Sequence, residues 1–371
     1  MLPLRLPLRT WFAAPFLALV VALAASAACG GSNAGSSANT DAGTSSGDSG
    51  KANVGHTVTL LASLGSSSYS FQIDSTSAYA LVTDTSGNDS TTVVEVPLSG
   101  GTPVTLATDL QYAEALAVSS TAVYWVDPSG PPTDASASFD GLVMSVPIAG
   151  GSSQTVASDQ GFPEGVAVDA SGVYWIDANT TAGPCMLPPC AAAVGAVMML
   201  PAGATTPVVL ANVPAQPSTI ALDGDNVYWG TSDGRVMKAA KEATDGGTVT
   251  TLAYYEASVQ SLVVGGSYVY WATGTGDIMK TPVAGGTSTA LVVGTDGIRA
   301  LTVDATSLYW ITYDDDSPTS EPPSSLNEIP LGGGAATTLW TGFDTPDALE
   351  VDDTNVYFTT DSGSLFKLTP K

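Results

Sequence analysis

The chain has 371 residues, of which 44% are apolar and only 12% are charged. The charge is one-sided, with 35 acidic residues against 10 basic ones and a formal net charge of −25. Such a surface repels phosphate backbones, which excludes nucleic-acid binding, and it disfavours anionic lipid surfaces. Cations, basic partners and neutral ligands remain compatible with it. The length predicts two domains or one large repetitive domain.

The first 28 residues have the layout of a secretory signal. MLPLRLPLR carries two arginines, WFAAPFLALVVALAA is an apolar run, and SAAC supplies small residues at a cleavage site. This order resembles a bacterial lipoprotein signal, which implies cleavage before Cys29 and lipidation of that cysteine. The protein would then be exported and held by its lipid at the outer membrane, in the periplasm or on the cell surface. Two alternatives stay open: cleavage after Ala27 or Ala28, which would release a soluble protein, and an uncleaved anchor.

Residues 29–54 are expected to form a flexible tether between the lipid and the folded domain. The stretch GGSNAGSSANTDAGTSSGDSGKAN has no aromatic residue and almost nothing to bury. A random coil of this length spans roughly 25–30 Å, which is enough to hold a domain away from a membrane surface. The folded domain is then predicted to occupy residues 55–371.

One pattern recurs from residue 69 onward. Clear copies are ALAVSSTAVYWVD at 115–127, GVAVDASGVYWID at 165–177 and ALTVDATSLYWIT at 300–312. Repeats of 40 to 50 residues built from short strands are typical of β-propeller blades. The tyrosines that occupy the same position in seven copies are Tyr79, Tyr124, Tyr174, Tyr228, Tyr270, Tyr309 and Tyr357.

Each copy predicts four strands, a to d. Strand a resembles GVAVD, strand b VYWID and strand c GLVMSVP, and strand d follows a Gly-rich turn, as in PLSGGTPVTLATD. The last copy reaches SLFKLTPK without a strand d, whereas HTVTLLAS at 56–63 closely matches the strand-d sequence TPVTLATD. We therefore expect residues 56–63 to complete the last blade and close the ring, because an open ring would leave strand edges exposed. The sequence predicts an all-β propeller of seven four-stranded blades.

The strings YWID, YWIT and YFTT resemble the YWTD repeats of lipoprotein-receptor ectodomains and those of the related TolB-like propellers. The resemblance covers nearly the whole predicted domain and implies a propeller used for binding. Propellers of that kind usually have six blades, so six is the alternative to the seven predicted from the repeats. Propellers host enzymes as well as scaffolds, so the fold alone does not decide the function.

Two residue types at repeated positions are expected to have structural roles. The tryptophans should pack between blades rather than stack on sugars, and the aspartates after strand a should cap tight turns rather than bind calcium. The tryptophans are Trp125, Trp175, Trp229, Trp271 and Trp310. The aspartates are Asp74, Asp169, Asp223, Asp304 and Asp352.

The residues of familiar catalytic centres are scarce. His56 is the only histidine, and we expect it to be exposed at the start of the closing strand. Histidine-dependent catalysis and imidazole-rich metal sites are therefore disfavoured. No glycine loop in this sequence follows a strand and opens a helix, as a phosphate-binding loop would.

Two short clusters lie in predicted insertions. Cys185 and Cys190 stand in GPCMLPPCAA, and in an exported protein such a pair favours a disulfide that pins the insertion, with a redox-active pair as the alternative. The run Asp314, Asp315 and Asp316 is expected to be a solvated acidic tip, with calcium coordination through carboxylate oxygens as the alternative.

The long insertions share one side of the predicted propeller. They follow strand b in the second, third and sixth blades, and b–c and d–a connections emerge on the same side of a blade. The residue before each strand a on this side is polar, so these residues should ring the mouth of the central channel and form a candidate site for a cation or small polar ligand. Arg299 could instead serve only to neutralise one of the ring's carboxylates. The ring consists of Tyr69, Glu114, Glu164, Ser218, Gln260, Arg299 and Asp347.

The sequence thus favours a lipid-anchored, monomeric propeller that binds an envelope protein or a small polar ligand. It touches the membrane only through its lipid. A calcium-dependent hydrolase or lactonase is the alternative, since carboxylates around a metal can support hydrolysis without histidine. A purely structural envelope protein is the third hypothesis. No cofactor other than calcium is expected.

Overall fold

A computed structural model describes residues 51–53, 55–83, 90–128, 141–178, 195–242, 247–255, 257–295, 297–313, 324–342 and 344–371. These residues all lie within the compact unit Gly47–Lys371 and form 29 β-strands in seven antiparallel sheets. In the part of the chain that is described, no helix has the length and apolar character needed to cross a membrane.

The strands follow the chain in blade order. Before the first blade come β1 (Lys51–Ala52) and β2 (Thr57–Ser63). Blade 1 contains β3 (Ser70–Ile73), β4 (Ser77–Thr83), β5 (Ser90–Pro97) and β6 (Val104–Gln111). Blade 2 contains β7 (Glu114–Val118), β8 (Ala122–Asp127), β9 (Gly141–Pro147) and β10 (Gln154–Gln160). Blade 3 contains β11 (Pro163–Asp169), β12 (Gly172–Asp177), β13 (Gly195–Pro201) and β14 (Val208–Val213).

The remaining blades repeat this plan. Blade 4 contains β15 (Pro217–Leu222), β16 (Asn226–Thr231), β17 (Arg235–Ala240) and β18 (Thr250–Tyr254). Blade 5 contains β19 (Val259–Gly265), β20 (Tyr268–Thr273), β21 (Ile278–Pro282) and β22 (Thr289–Val292). Blade 6 contains β23 (Ile298–Val303), β24 (Ser307–Thr312), β25 (Ser324–Pro330) and β26 (Thr337–Gly342). Blade 7 contains β27 (Pro346–Val351), β28 (Val356–Thr360) and β29 (Ser364–Thr369).

The N-terminal strand β2 completes blade 7. Its sheet runs in the order β2-β29-β28-β27, with Thr57 opposite Thr369 and Ser63 opposite Ser364. Neighbouring inner strands contact one another all the way round, including β27 with β3, so the ring is closed around a channel. The prediction of seven four-stranded blades closed by residues 56–63 is confirmed, and the six-blade alternative is wrong.

Two details at the start of the domain differ from expectation. β1 pairs with β26 as a fifth strand on blade 6, so residues 51 and 52, placed in the tether by composition, are already part of a sheet. The outer strand β26 offers unpaired backbone groups, and two residues are enough to use some of them. His56 is half-buried rather than exposed, and its Nδ1 lies 2.6 Å from the carbonyl oxygen of Pro370.

The repeated aromatic residues form the core between blades. All five tryptophans predicted to be structural are at most 2% exposed, and so are six of the seven aligned tyrosines. Tyr124 is the exception and is partly exposed. Each b-strand is packed on both faces, which explains why VYW runs are apolar without alternation. The prediction that these residues serve packing is confirmed.

The aspartates after strand a cap tight turns, as predicted. In blade 4, Asp223 Oδ1 accepts hydrogen bonds from the backbone N–H groups of Asp225 and Asn226, and Tyr228 Oη donates to Asp223 Oδ2 over 2.6 Å. Blades 1, 6 and 7 repeat this Asp–Tyr turn. The Asp–Tyr turns define the face of the propeller that lies opposite the predicted channel mouth.

Candidate functional site

The seven residues predicted to ring the channel mouth all stand at the beginning of an inner strand. Tyr69 immediately precedes β3, Glu114 is the first residue of β7, and the other five are the second residues of their strands. The inner strands contact one another in a ring, so these side chains lie on the same side of the propeller. We call this side the mouth face.

A β-bulge occurs at or beside the mouth position in six of the seven blades. A bulge leaves a residue outside the strand ladder and turns its side chain in a new direction. Blade 1 has no such shift between β3 and β4. The residues left out of the ladder are Ala115, Glu164, Ser218, Gln260, Arg299 and the pair Asp347–Ala348. Most residues of the predicted ring therefore lie outside regular strand pairing. The repeat pattern alone did not reveal this.

Several mouth side chains bond to the next blade. Tyr69 Oη donates to the carbonyl oxygen of Ala113, and Ser218 Oγ donates to that of Val259 over 2.7 Å. Gln260 stays within its own blade, where its Nε2 lies 2.9 Å from Ser258 Oγ. Part of the predicted ring thus stabilises the contacts between blades.

Burial raises the pKa of the mouth carboxyl groups of blades 2 and 3. Desolvation raises the pKa of Glu164 to about 7, although a hydrogen bond from Gln216 acts to lower it. The charge of Glu114 adds to the rise. Desolvation also raises the pKa of Glu114, with a further contribution from Asp127. Nearby, burial raises the pKa of Asp177 to about 6. Burial disfavours the ionised form of each of these acids, and a cationic group beside them would favour it.

The mouth of blades 6 and 7 contains an ion pair beside a pair of aspartates. Arg299 Nη1 donates to Asp347, the neutralising contact considered as an alternative from the sequence. Burial nevertheless outweighs the arginine and raises the pKa of Asp347 to about 6. Burial and a hydrogen-bonded contact with Asp344 raise the pKa of Asp361 to about 7, whereas bonds from Asp361 and Ser362 hold the pKa of Asp344 below its usual range. The two carboxyl groups therefore bond to each other and differ in how readily they ionise.

Backbone strain is concentrated on the same face. Five non-glycine residues of the described chain have φ between 36° and 61°, a left-handed region that costs bulky residues free energy. All five lie in or next to the connections that enter blades 2 and 3, TDLQYAEA at 108–115 and SDQGFPEG at 158–165. They are Asp109, Tyr112, Ala115, Asp159 and Phe162. The strained connections therefore flank Glu114 and Glu164.

The mouth face also presents aromatic and guanidinium groups. The guanidinium of Arg235 lies 5.7 Å from the centre of the Tyr254 ring, and that of Arg299 lies 4.4 Å from the Tyr313 ring. These are the two arginines of the described residues, and tyrosine and arginine are the types most often found at the centre of protein interfaces. Four of the seven large apolar side chains that are exposed in the described chain lie on this face: Tyr69, Tyr112, Tyr254 and Val293.

The three insertions begin and end on the mouth face, because the strands that flank them pair there. Asp127 lies opposite Leu142, Asp177 opposite Ala196, and Thr312 opposite Ser325. The insertions themselves, residues 129–140, 179–194 and 314–323, lie outside the described residues. So do the signal, most of the tether, and the predicted sites Cys29, Cys185, Cys190 and Asp314, Asp315 and Asp316. Lipidation, the disulfide and the calcium site remain predictions.

The described residues contain no group of three or more histidine, cysteine, aspartate or glutamate side chains arranged to hold a metal ion. The mouth carboxylates are divided between blades 2 and 3 on one side and blade 7 on the other.

Sequence reasoning missed several residues of this face. Asp344 and Asp361 flank the inner strand and the b–c turn of blade 7, positions that the repeat alignment treats as loop. One feature of the sequence could have drawn attention to Tyr112 and Phe162: they occupy the same place in two similar connections. Nothing in their residue type indicates a left-handed conformation.

No protein-family model matches the chain, and no curated protein sequence matches it. Solved propeller structures do resemble it. A catalytically inactive histidine-to-alanine variant of virginiamycin B lyase from Staphylococcus aureus, with quinupristin, has a TM-score of 0.62 at 12% identity, over 85% of this chain and 99% of that one. The WD40 propeller domain of Doa1 has a TM-score of 0.61 at 10% identity, over 86% of this chain and 98% of that one.

YCF48 bound to a D1 peptide has a TM-score of 0.59 at 9% identity, over 88% of this chain and all of that one. At these identities the similarity concerns the fold alone. The similar structures include an enzyme, a WD40 domain and a peptide-bound propeller. The chain is a seven-bladed β-propeller whose site has to be understood from its own residues.

Proposed function

We propose that this protein is a lipid-anchored cell-envelope propeller that binds a basic protein or peptide through its mouth face. One observation carries the proposal: every non-glycine residue with left-handed backbone in the described chain lies in the two connections, 108–115 and 158–165, that lead into blades 2 and 3 and contain Glu114 and Glu164. Strain of this kind persists where function demands a particular loop geometry. A purely structural propeller has no reason to confine it to one face.

The chemistry of the face specifies the partner. Glu114 and Glu164 can pair with lysine or arginine side chains, while Tyr112, more than half exposed, offers an apolar surface beside them. The net charge of −25 attracts a basic partner over distance and speeds its association. An extended segment with alternating basic and apolar residues would satisfy both features.

Binding is favoured over lyase-type catalysis by the position of the single histidine. The similar virginiamycin B lyase variant is inactive after a histidine-to-alanine change. Here His56 lies next to β2 at the end that pairs with Thr369, on the face opposite the mouth. The peptide-bound YCF48 structure and the resemblance of the repeats to YWTD and TolB-like propellers both support a binding role.

Peptide selection on the isolated domain tests the proposal. A random displayed peptide library should yield peptides enriched in lysine, arginine and aromatic residues. These peptides should lose at least tenfold in affinity for Tyr112→Ser and Glu164→Gln, and should bind normally to Tyr268→Ser, a matched tyrosine change on the opposite face. Peptides that bind all four proteins equally would overturn the assignment of the binding face.

Lipid anchoring is tested separately at Cys29. We expect the wild-type protein to incorporate labelled fatty acid and to partition with membranes, and Cys29→Ser to do neither. A soluble wild-type protein without label would show that the signal is of the ordinary secretory kind. The binding face does not depend on that result.

The alternative function, a calcium-dependent hydrolase or lactonase, has no supporting donor set among the described residues. Calorimetric titration of the whole exported domain with calcium distinguishes it from the binding proposal. Stoichiometric calcium binding that Asp315→Asn abolishes would favour the hydrolase and place its metal in the insertion of blade 6.

A further inference from the structure

The connections that enter blades 2 and 3 repeat each other in sequence. TDLQYAEA at 108–115 and SDQGFPEG at 158–165 contain a hydroxyl residue, an aspartate, an aromatic residue and a glutamate at identical spacing. The aromatic residue is Tyr112 in one and Phe162 in the other, and the glutamate follows two residues later. The connections that enter the other five blades do not have this combination. We call these two segments the twin connections.

The twin connections also share a backbone irregularity. In the outer strand that leads into each of them, two residues are left out of the ladder, 108–109 in β6 and 158–159 in β10. The described outer strands of the other five blades have no two-residue shift. A geometry that the fold itself required would recur in every blade, so this one serves a role that blades 2 and 3 share.

A third shared feature lies at the end of strand b. Asp127 and Asp177 are the last residues of β8 and β12, whereas strand b of each other blade ends in threonine. Asp177 is 4% exposed, lies opposite Pro163 and accepts a hydrogen bond from the backbone N–H of Gly161 in its twin connection. Its Oδ1 has no hydrogen-bond partner in the part of the chain that the structure describes. A buried carboxyl oxygen without a partner costs free energy, so this position favours an additional donor.

Each twin connection, with the aspartate of strand b, forms one unit of an aromatic ring and two carboxyl groups. Tyr112 is 54% exposed and Phe162 is partly exposed. Lysine and arginine suit such a unit, because the aliphatic stem packs on an aromatic face while the charged end pairs with carboxylates. A neutral or acidic side chain would gain only part of these contacts.

The two units lie one blade apart. β7 and β11 are neighbouring inner strands with Cα atoms within 8 Å of each other. The charge of Glu114 is also close enough to raise the pKa of Glu164. In an extended peptide, side chains that point the same way are two residues, or roughly 7 Å, apart. A peptide that crosses from blade 2 to blade 3 can therefore place one basic side chain in each unit.

We propose that the mouth face reads two basic residues separated by a single residue in an extended peptide, with one basic side chain bound by each unit. This inference rests on the proposed function, because it concerns the same face, and it fixes the number and spacing of the basic residues. The residue between them points away from the two units, so its identity is free to vary.

Two isomeric peptides test the spacing by titration of the exported protein at physiological ionic strength. Ac-Gly-Ser-Lys-Ser-Lys-Ser-Gly-NH2 has the proposed spacing. Ac-Gly-Lys-Ser-Ser-Ser-Lys-Gly-NH2 has the same composition and charge, but its lysines lie roughly 13 Å apart when the peptide is extended. The first peptide should bind about fivefold more tightly or better, because it occupies both units at once.

Charge-removing variants test whether both units take part. Glu114→Gln and Glu164→Gln should each abolish the advantage of the first peptide. The second peptide occupies one unit at a time, so it should lose no more than about twofold in affinity for either variant. Glu95→Gln is the matched control, since its carboxylate accepts from Ser77 beside the turn of blade 1 on the opposite face, and it should leave both affinities unchanged.

Equal affinity of the two isomers for the wild type would overturn this inference, and so would an advantage that persists in either glutamine variant. Both results leave the proposed function standing if peptides selected from the library bind the mouth face. A library that yields no peptide for that face would overturn the proposed function and this inference with it.

Discussion

Closure of the ring by β2 makes a prediction that a change of one residue can test. Leu60 and Leu61 are neighbours on β2, and a β-bulge between Leu60 and Ala62 leaves Leu61 outside the strand ladder and redirects its side chain. Leu61 is 6% exposed and belongs to a cluster that joins blade 7 to blade 1, whereas Leu60 is 44% exposed. Leu61→Ala should therefore weaken the whole ring, and Leu60→Ala should not.

The size of the effect follows from the packing. Truncation of a buried leucine to alanine costs about 2–5 kcal/mol, because contacts are lost and the cavity closes only partly. Leu61 packs among Ala78, Val96 and Leu365, which belong to strands of both blades and restrict relaxation. We expect a loss of about 3 kcal/mol for Leu61→Ala, and less than about 1 kcal/mol for the half-exposed Leu60.

Urea unfolding followed by tryptophan fluorescence measures both variants, since the tryptophans are buried between blades. A loss of about 3 kcal/mol lowers the midpoint by roughly 1 M urea. Deletion of residues 54–65 should cost still more and should shift the whole transition instead of adding a small early phase. Equal losses for the two leucines, or a larger loss for Leu60→Ala, would refute the register of β2 and with it this account of closure.

Three further predictions concern single side chains. Tyr228→Phe should lower the free energy of unfolding by about 1–2 kcal/mol, because it removes the hydrogen bond to Asp223. Tyr270→Phe, in a blade without a turn aspartate, should lower it by less than about 0.5 kcal/mol. Equal losses in urea titrations would contradict the Asp–Tyr turn. Gly234→Ala should cost about 2 kcal/mol or more, because its φ is +87° and an added Cβ would lie 1.7 Å from a backbone oxygen, and an unchanged urea midpoint would show that the turn is misassigned. Glu350→Gln should raise the free energy of unfolding by about 3 kcal/mol at pH 7 and leave it unchanged at pH 4.5. The pKa of Glu350 is about 8 in the folded state against an ordinary 4.5. The native wild type therefore binds an extra proton between these two pH values, and its stability falls as pH rises through them. A gain that is the same at both pH values would exclude titration of Glu350 as the cause.

The blade count and ring closure could be predicted from the sequence because both leave a repeated signal. Seven copies of one strand pair, together with a lone segment resembling TPVTLATD, leave few arrangements that satisfy every strand edge. Burial of the tryptophans and the turn role of the aspartates followed for the same reason. A residue that recurs at the same position in most blades is expected to have a role in the packing or turns that the blades share.

The distinctive parts of the mouth were harder to predict because they break the repeat. Tyr112 and Phe162 are bulky residues in left-handed conformations, and no local propensity indicates this. The repeat alignment also does not show that the carboxyl group of Glu350 bonds to both neighbouring inner strands, through Gln72 and Thr302. The strand formed by residues 51 and 52 is too short to give any periodic pattern.

The central claim is that the mouth face binds the partner, and hydrogen–deuterium exchange with a selected basic peptide tests it most directly. The account predicts slower exchange in the connections 108–115 and 158–165 when the peptide is bound, with the Asp–Tyr turns of the opposite face unchanged. Protection confined to those turns, or to the outer strands of the blades, would contradict it.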